Sequence, residues 1–314
     1  MDPFDDLLRG VRADGAVFGR SVLSPPWALR FTDGASLTLC VPMRGEGWIL
    51  LEGSEKTWPV RTGEAAIVCG PEPFVFSDRP LTDHPPDRVR EVCCGRVGHA
   101  EPANANLADG TVLLAGAYHV RGEVPRRLVQ VLPPVLVVPD EHDCTSMRDY
   151  LEAQLSLERP GRQVVLDRLL DWLLVCTLRD WFDRPDTVSP PWYRALADDV
   201  VGPALRALHE EPERRWTLAA LAREAGVSRT RLATRFTEVM GEPPLAYLTG
   251  WRMALAADLL AESTTTVAAV ARRVGYADAF GFSTAFKRLH GTNPSDYRRS
   301  VRAEKERAAR ALSP

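Results

Sequence analysis

The feature that most constrains this chain is an internal repeat in its C-terminal third. "LAALAREAGVS" (218–228) aligns without gaps on "VAAVARRVGYA" (267–277), 49 residues later. Ala219, Ala220, Ala222, Arg223 and Gly226 recur as Ala268, Ala269, Ala271, Arg272 and Gly275. Beyond the glycine, Leu232 and Phe236 match Phe282 and Phe286 with one residue inserted. Each copy reads the same way. A short helix carries alanines where another helix must approach closely. A glycine follows, suited to a left-handed backbone. A small polar residue, Ser228 or Asp278, then N-caps a second helix whose apolar residues lie four apart. This is the pattern of a helix-turn-helix, whose second helix lies in the major groove of DNA. A single αα-hairpin can imitate it, but a duplicated copy is far more restrictive.

Between the copies lies "PPLAYLTGWRMALAADLLAES" (243–263). Two prolines suit the first turn of a helix. A helix from Leu245 to Ser263 spans about 28 Å, close to the roughly 34 Å between successive major-groove faces. It can therefore hold two reading heads on one side of a duplex. A helical bundle that binds a protein explains the apolar pattern equally well. It explains neither the duplication nor the cations on the second helices, Arg229, Arg231, Arg235, Lys287 and Arg288. Charge points the same way. Residues 192–314 hold 19 Lys+Arg against 14 Asp+Glu, and the remainder 20 against 28, so an overall −3 divides into +5 and −8. A basic C-terminal half is an electrostatic pointer to nucleic acid.

The 314 residues suggest two domains, and a composition of 45% hydrophobic and 26% charged residues allows a core in each. Residues 15–140 read as β-rich: "SLTLCVP" (36–42), "GWILLE" (47–52), "EAAIVCG" (64–70), "FVFSD" (74–78) and "VREVCCGRVG" (89–98) are short runs parted by Gly, Pro and Asp turns. From about Cys144 the pattern becomes helical, over 146–158 and then 163–182. In the second helix Leu166, Leu169, Leu170, Leu173 and Leu174 outline a broad apolar stripe. "DRPDTVSPPW" (183–192) reads as a linker. The expected fold class is α+β in two domains: an N-terminal small β-barrel or sandwich with two following helices, and a C-terminal all-α double helix-turn-helix. The expected boundaries are an N-terminal domain over 1–183, a linker over 184–192 and a DNA-binding domain over 193–314.

The repeat region, about Val201 to Arg299, resembles the DNA-binding domain of AraC/XylS-type transcription regulators. Gly275-Tyr276, Phe286-Lys287-Arg288 and Pro294…Tyr297-Arg298 carry the resemblance together with the spacing. It implies recognition helices at about 228–239 and 278–289, with base-facing positions Thr230, Ala233 and Thr234 in the first and Ala279, Phe280, Ser283 and Thr284 in the second. These side chains are mostly small or apolar, so base readout would lean on hydroxyls, thymine methyl contacts and DNA shape. Ser228 joins this set at the start of the first recognition helix. Arg229, Arg231, Arg235, Arg272, Lys287 and Arg288 are the candidates for phosphates or neighbouring bases.

The N-terminal half, most of 10–183, resembles the cupin-like sensor domain of one AraC subgroup through its β-run, "VCCGRVGH" and "VQVLPPVLVVP". The His-x-His…Glu…His arrangement of metal-binding cupins is missing: His84, His99, His119 and His142 are isolated, so neither a metal nor a cofactor is expected. Some regulators of that subgroup answer reactive chlorine through a cysteine of the Cys-Gly motif. Cys94 matches that position and is the candidate thiol sensor, with Cys40 or Cys69 as a partner only if the strands bring it near. Buried structural thiols are the plainer reading. A small effector inside the barrel, walled by Phe31, Trp48, Trp58, Phe74 and Phe76, is the third option, and its identity is not legible.

The expected partners are double-stranded DNA, a second copy of the chain through helices 146–158 and 163–182, and RNA polymerase. Leu166, Leu170 and Leu174 would form the two-fold interface unless the barrel claims that face. An acidic opening, the absence of a long uncharged apolar run and the absence of CxxC spacing give a cytoplasmic expectation with no membrane contact. Two other readings compete: a cupin-type enzyme with a helical interaction tail, and a protein-interaction adaptor. No catalytic triad, phosphate loop or dinucleotide motif supports the enzyme.

Overall fold

The computed structural model describes residues 2–18, 23–80, 89–92, 110–139, 150 and 160–311. The expected helix over 146–158 falls, apart from Tyr150, outside the described residues, as do Cys94, His84, His99 and His142. Contacts divide the chain into two compact units. One comprises Val11–Val120 and Val129–Val188, the other Met1–Gly10, Arg121–Leu128 and Ser189–Pro314.

The first unit holds ten described strands: β1 (Ala13–Phe18), β2 (Ala28–Phe31), β3 (Leu37–Arg44), β4 (Glu46–Leu51), β5 (Thr57–Arg61), β6 (Glu64–Cys69), β7 (Phe74–Ser77), β8 (Val89–Val92), β9 (Val112–Tyr118) and β10 (Val135–Pro139). They form two five-stranded sheets, ordered β1-β9-β3-β6-β10 and β5-β4-β7-β2-β8. Among the described residues the expected barrel is thus corrected to two sheets that are not joined into one closed barrel. The chain passes from one sheet to the other at Gly45 and Gly63, whose φ values of 78° and 90° suit glycine. At Gly45 a Cβ would meet Thr111 Oγ1 at 2.6 Å, so no other residue fits that crossing unchanged. The core between the sheets takes Phe31, Ile49, Val60 and Phe76 from one and Cys40, Ala66 and Ala115 from the other. Phe31 and Phe74 stack at 4.7 Å. Three of the five aromatics proposed as ligand walls, Phe31, Phe74 and Phe76, are therefore buried core.

Helix α3 (Arg162–Asp183; α1 and α2 are described below) lies against β1 and β10 on the first sheet. Leu166, Leu170, Leu174, Leu178 and Phe182 are buried. Leu170 fits over Gly116 of β9, where an added Cβ would lie 2.8 Å from its Cδ1. The Asp171 carboxylate accepts the Ala13 N–H at 2.7 Å and tethers β1 to the helix. The leucine face expected at a dimer interface is thus corrected to a sheet-covering face. Gly116, which has no side chain, makes room for Leu170 on the sheet. The opposite side of α3 exposes Val164, Val165 and Trp172.

The second unit is helical. Its elements are α1 (Pro3–Leu8), α2 (Glu123–Val129, whose last residue falls to the first unit), α4 (Pro191–Leu196), α5 (Val201–Glu210), α6 (Leu218–Glu224), α7 (Arg229–Met240), α8 (Pro244–Glu262), α9 (Val267–Arg273), α10 (Ala279–His290) and α11 (Pro294–Ala311). The region expected as a sensor over 1–183 therefore contributes two short segments to this unit. In α1, Phe4 stacks on Trp192 at a ring distance of 6.0 Å. Ahead of α2, Gly122 has φ 103°, and the Asp258 carboxylate accepts the N–H groups of Glu123 and Val124. Arg127 donates to the Gly250 carbonyl at 2.9 Å and lies over the Trp251 ring.

Candidate nucleic-acid interface

Both copies of the repeat fold as the spacing predicts. α6–α7 and α9–α10 are the two helix-turn-helix units, and α8 joins them. Thr217 and Thr266 N-cap the first helices, accepting from Ala220 N and Ala269 N. Ser228 and Asp278 N-cap the second, accepting from Arg231 N at 3.2 Å and Gly281 N at 2.8 Å. The turn glycines are left-handed in both copies, Gly226 at φ 65° and Gly275 at φ 82°. At Gly275 space adds to conformation, because a Cβ would meet the Glu213 carbonyl oxygen at 2.5 Å. α8 serves both cores: Leu248 packs with α5–α7, whereas Met253, Ala257 and Leu260 pack with α9 and α10. Leu232, Phe236, Phe282 and Phe286 are fully buried, which fixes the opposite faces of α7 and α10 outward.

The first set of expected DNA-binding residues lies on that outer surface. Ser228, Arg229, Thr230, Arg231, Thr234 and Arg235 are all exposed, and Ala233 is half-buried. In the second set Phe280, Thr284, Lys287 and Arg288 are exposed, while Ala279 and Ser283 are half-buried. Phe280 stands out with 84% of its surface exposed, which is rare for a phenylalanine. The Ser283 hydroxyl donates to the Ala279 carbonyl at 2.7 Å, and Thr284 to that of Phe280 at 3.0 Å. Their oxygens keep free lone pairs, so each remains available as a hydrogen-bond acceptor.

The cations divide into three kinds. Arg229, Arg231, Arg272, Lys287 and Arg288 are exposed, with no carboxylate within 4.0 Å among the described residues. Arg252 and Arg298 instead donate to main-chain carbonyls, Arg252 to Pro212 and Arg214, and Arg298 to Leu260 and Thr265. Arg235 is bound to Asp198, a partner that the sequence reading missed. Two pairs of residues missed at the sequence level did carry a signal. Thr217 and Thr266 lie at the repeat spacing, and so do Gly241 and Gly291, which C-cap the recognition helices with φ 80° and 73°.

The described thiols are poor nucleophiles. Burial pushes Cys69 up to about 12, and burial, followed by the Asp33 charge, raises Cys40 further. Cys176 is raised as well, first by burial. Cys40 pairs with Ala66 and Cys69 with Leu37, three rungs apart on one ladder. That is about 10 Å along the strand, beyond disulfide reach. Among the described residues no group of three His, Cys, Asp or Glu side chains is arranged to hold a metal. No described helix is long and apolar enough to cross a membrane.

Comparison with known proteins agrees with this geometry. Residues 2–183 match the cupin family, and residues 221–300 match a helix-turn-helix domain family. An AraC-like transcription regulator of Streptomyces lividans is 31% identical over 307 residues, covering 95% of this chain and 98% of that protein. One from Streptomyces antibioticus is 32% identical over 304 residues, with 95% and 99% covered. Among solved structures, the DNA-binding domain of AdpA in complex with a target DNA is 28% identical, covers 35% of this chain and 98% of that one, and has a TM-score of 0.34. The chain belongs to the AraC-like transcription regulators, with a cupin-like N-terminal region and a C-terminal helix-turn-helix domain.

Proposed function

We propose that this regulator reads a specific double-stranded DNA site with both recognition helices. Thr230, Thr234, Ala279, Phe280, Ser283 and Thr284 face base edges. Arg229, Arg231, Lys287 and Arg288 meet phosphates, and Ser228 caps the first reading helix and lies beside the backbone. The observation that carries the reading is the pair of α7 and α10 faces. Each is fixed outward by a buried Leu/Phe or Phe/Phe pair, and each carries exposed cations.

The remaining parts of the reading rest on the sequence. Residues 1–183 serve as sensor and dimerisation domain, 184–192 as linker and 193–314 as DNA-binding domain. DNA binding is modulated through the cupin-like region by a small ligand or by thiol chemistry at Cys94. Burial holds Cys40 and Cys69 in the thiol form, which argues against either as the partner of Cys94. A second copy of the chain pairs across the outer side of α3, which carries Val165 and Trp172. RNA polymerase is the expected protein partner and the cytoplasm the expected compartment. The chain carries out no catalysis and needs no cofactor.

A gel-shift assay and footprint on the DNA upstream of the chain's own coding sequence tests the reading. The expected footprint covers two adjacent major-groove segments on one face, about 10 bp apart. Binding no tighter than to random DNA would overturn it.

A further inference from the structure

Arg235 differs from every other cation on the recognition helices. Its Nε donates to Asp198 Oδ2 at 2.8 Å, its Nη2 lies 2.7 Å from the same oxygen, and its Nη1 donates to Glu238 Oε2 at 3.4 Å. All three guanidinium nitrogens therefore face carboxylates. Asp198 is equally engaged. Its Oδ1 accepts the Val200 and Val201 N–H groups at 2.9 Å each, at the start of α5, and its side chain is only 12% exposed. Burial by itself would raise this carboxyl, but the Val201 and Val200 amides and the Arg235 guanidinium outweigh it and hold it below the usual range.

Resting on the DNA-binding reading above, we propose that Asp198 removes Arg235 from the DNA-contacting set and makes it a positioning residue that braces the first recognition helix. For Arg235 to reach a phosphate it must give up charge-assisted hydrogen bonds and leave a nearly buried carboxylate without its cation. A phosphate drawn to that flank would also meet the charges of Asp198 and Glu238. Held in place, the pair ties α7 to the start of α5 alongside the Leu232/Phe236 contact. One arginine of the helix thus sets its orientation, while Arg229 and Arg231 supply the phosphate contacts.

The salt dependence of binding to random-sequence duplex, measured on the full chain, separates a brace from a ligand. Each phosphate contact contributes about 0.9 to the slope of log K against log salt. Arg231→Ala is expected to reduce the slope by about that amount. Arg235→Gln, which removes only the charge, should leave it unchanged. Asp198→Asn keeps a good helix cap but releases the guanidinium. It should steepen the slope by about 0.9 and tighten random-DNA binding. An Arg235→Gln slope that falls as far as that of Arg231→Ala overturns the brace, as does an Asp198→Asn slope equal to wild type. A wild-type chain that binds no DNA would overturn the functional reading as well, so the two failures are distinct.

Discussion

Nδ1 of His209 lies 2.7 Å from the Asp6 carboxylate, a residue 203 positions away, and Nε2 lies 2.7 Å from the Tyr247 hydroxyl. The imidazole is fully buried and 4.2 Å from the Trp251 ring. A neutral ring satisfies both partners, donating from Nδ1 to Asp6 and accepting at Nε2 from the Tyr247 hydroxyl. Burial pushes the His209 pKa below its usual 6.5 and outweighs the opposing pull of the Asp6 hydrogen bond and charge.

A depressed histidine makes the helical unit acid-sensitive. The folded state binds this proton less readily than the unfolded chain. The stability is fully present above about pH 6.5 and is lost as pH falls from there through the lowered folded value. Melting temperature should therefore drop between pH 7.5 and 5.5 by more in the wild type than in a His209→Gln chain. Equal drops would show that His209 does not titrate in this window.

Asp258 caps α2 from near the C-terminal end of the helix that links the two reading heads. Asp258→Ala should cost about 1 kcal/mol, as loss of an N-cap usually does, and Asp258→Asn less. Urea unfolding monitored by tryptophan fluorescence measures both. An alanine variant as stable as wild type would mean that the Gly122–Val124 turn does not depend on this carboxylate.

The two faces of α3 should respond differently to charge. Leu170→Glu places a carboxylate against Gly116 in a closed core and should leave the protein unfolded or insoluble. Trp172→Glu alters a side chain that is 39% exposed and should leave a folded chain that sediments as a monomer. A folded, dimeric Trp172→Glu protein would move the two-fold contact elsewhere.

These contrasts show what the sequence carried and what it did not. The double helix-turn-helix was legible because its signals are local: Ser and Asp caps, left-handed glycines and apolar residues four apart. Strands β3, β4, β6 and β7 were legible as apolar runs between turns. Strand β5 was not, because Pro59 interrupts it. That proline is tolerated because β5 is an edge strand. The apolar stripe of α3 showed that the helix is covered, but not by what. Gly116, some fifty residues earlier, decides it, and no periodicity joins the two. The attachment of α1 and of segment 121–128 to the helical unit, and the capture of Arg235 by Asp198, are likewise pairings of distant residues. In sequence Arg235 looks like any other exposed arginine.

Base reading by α7 and α10 is tested most directly by the preferred DNA sequence selected from a random pool by wild type, Thr234→Ala and Ser283→Ala. With its proton on the Ala279 carbonyl, Ser283 Oγ should accept from an adenine or cytosine amino group. Its loss should relax preference by about 0.5–1.5 kcal/mol, the worth of one hydrogen bond, at one base pair of one half of the site. Thr234→Ala should relax preference only in the other half, and both variants should bind random DNA like wild type. Three identical selected sequences would contradict the claim that α7 and α10 read the bases.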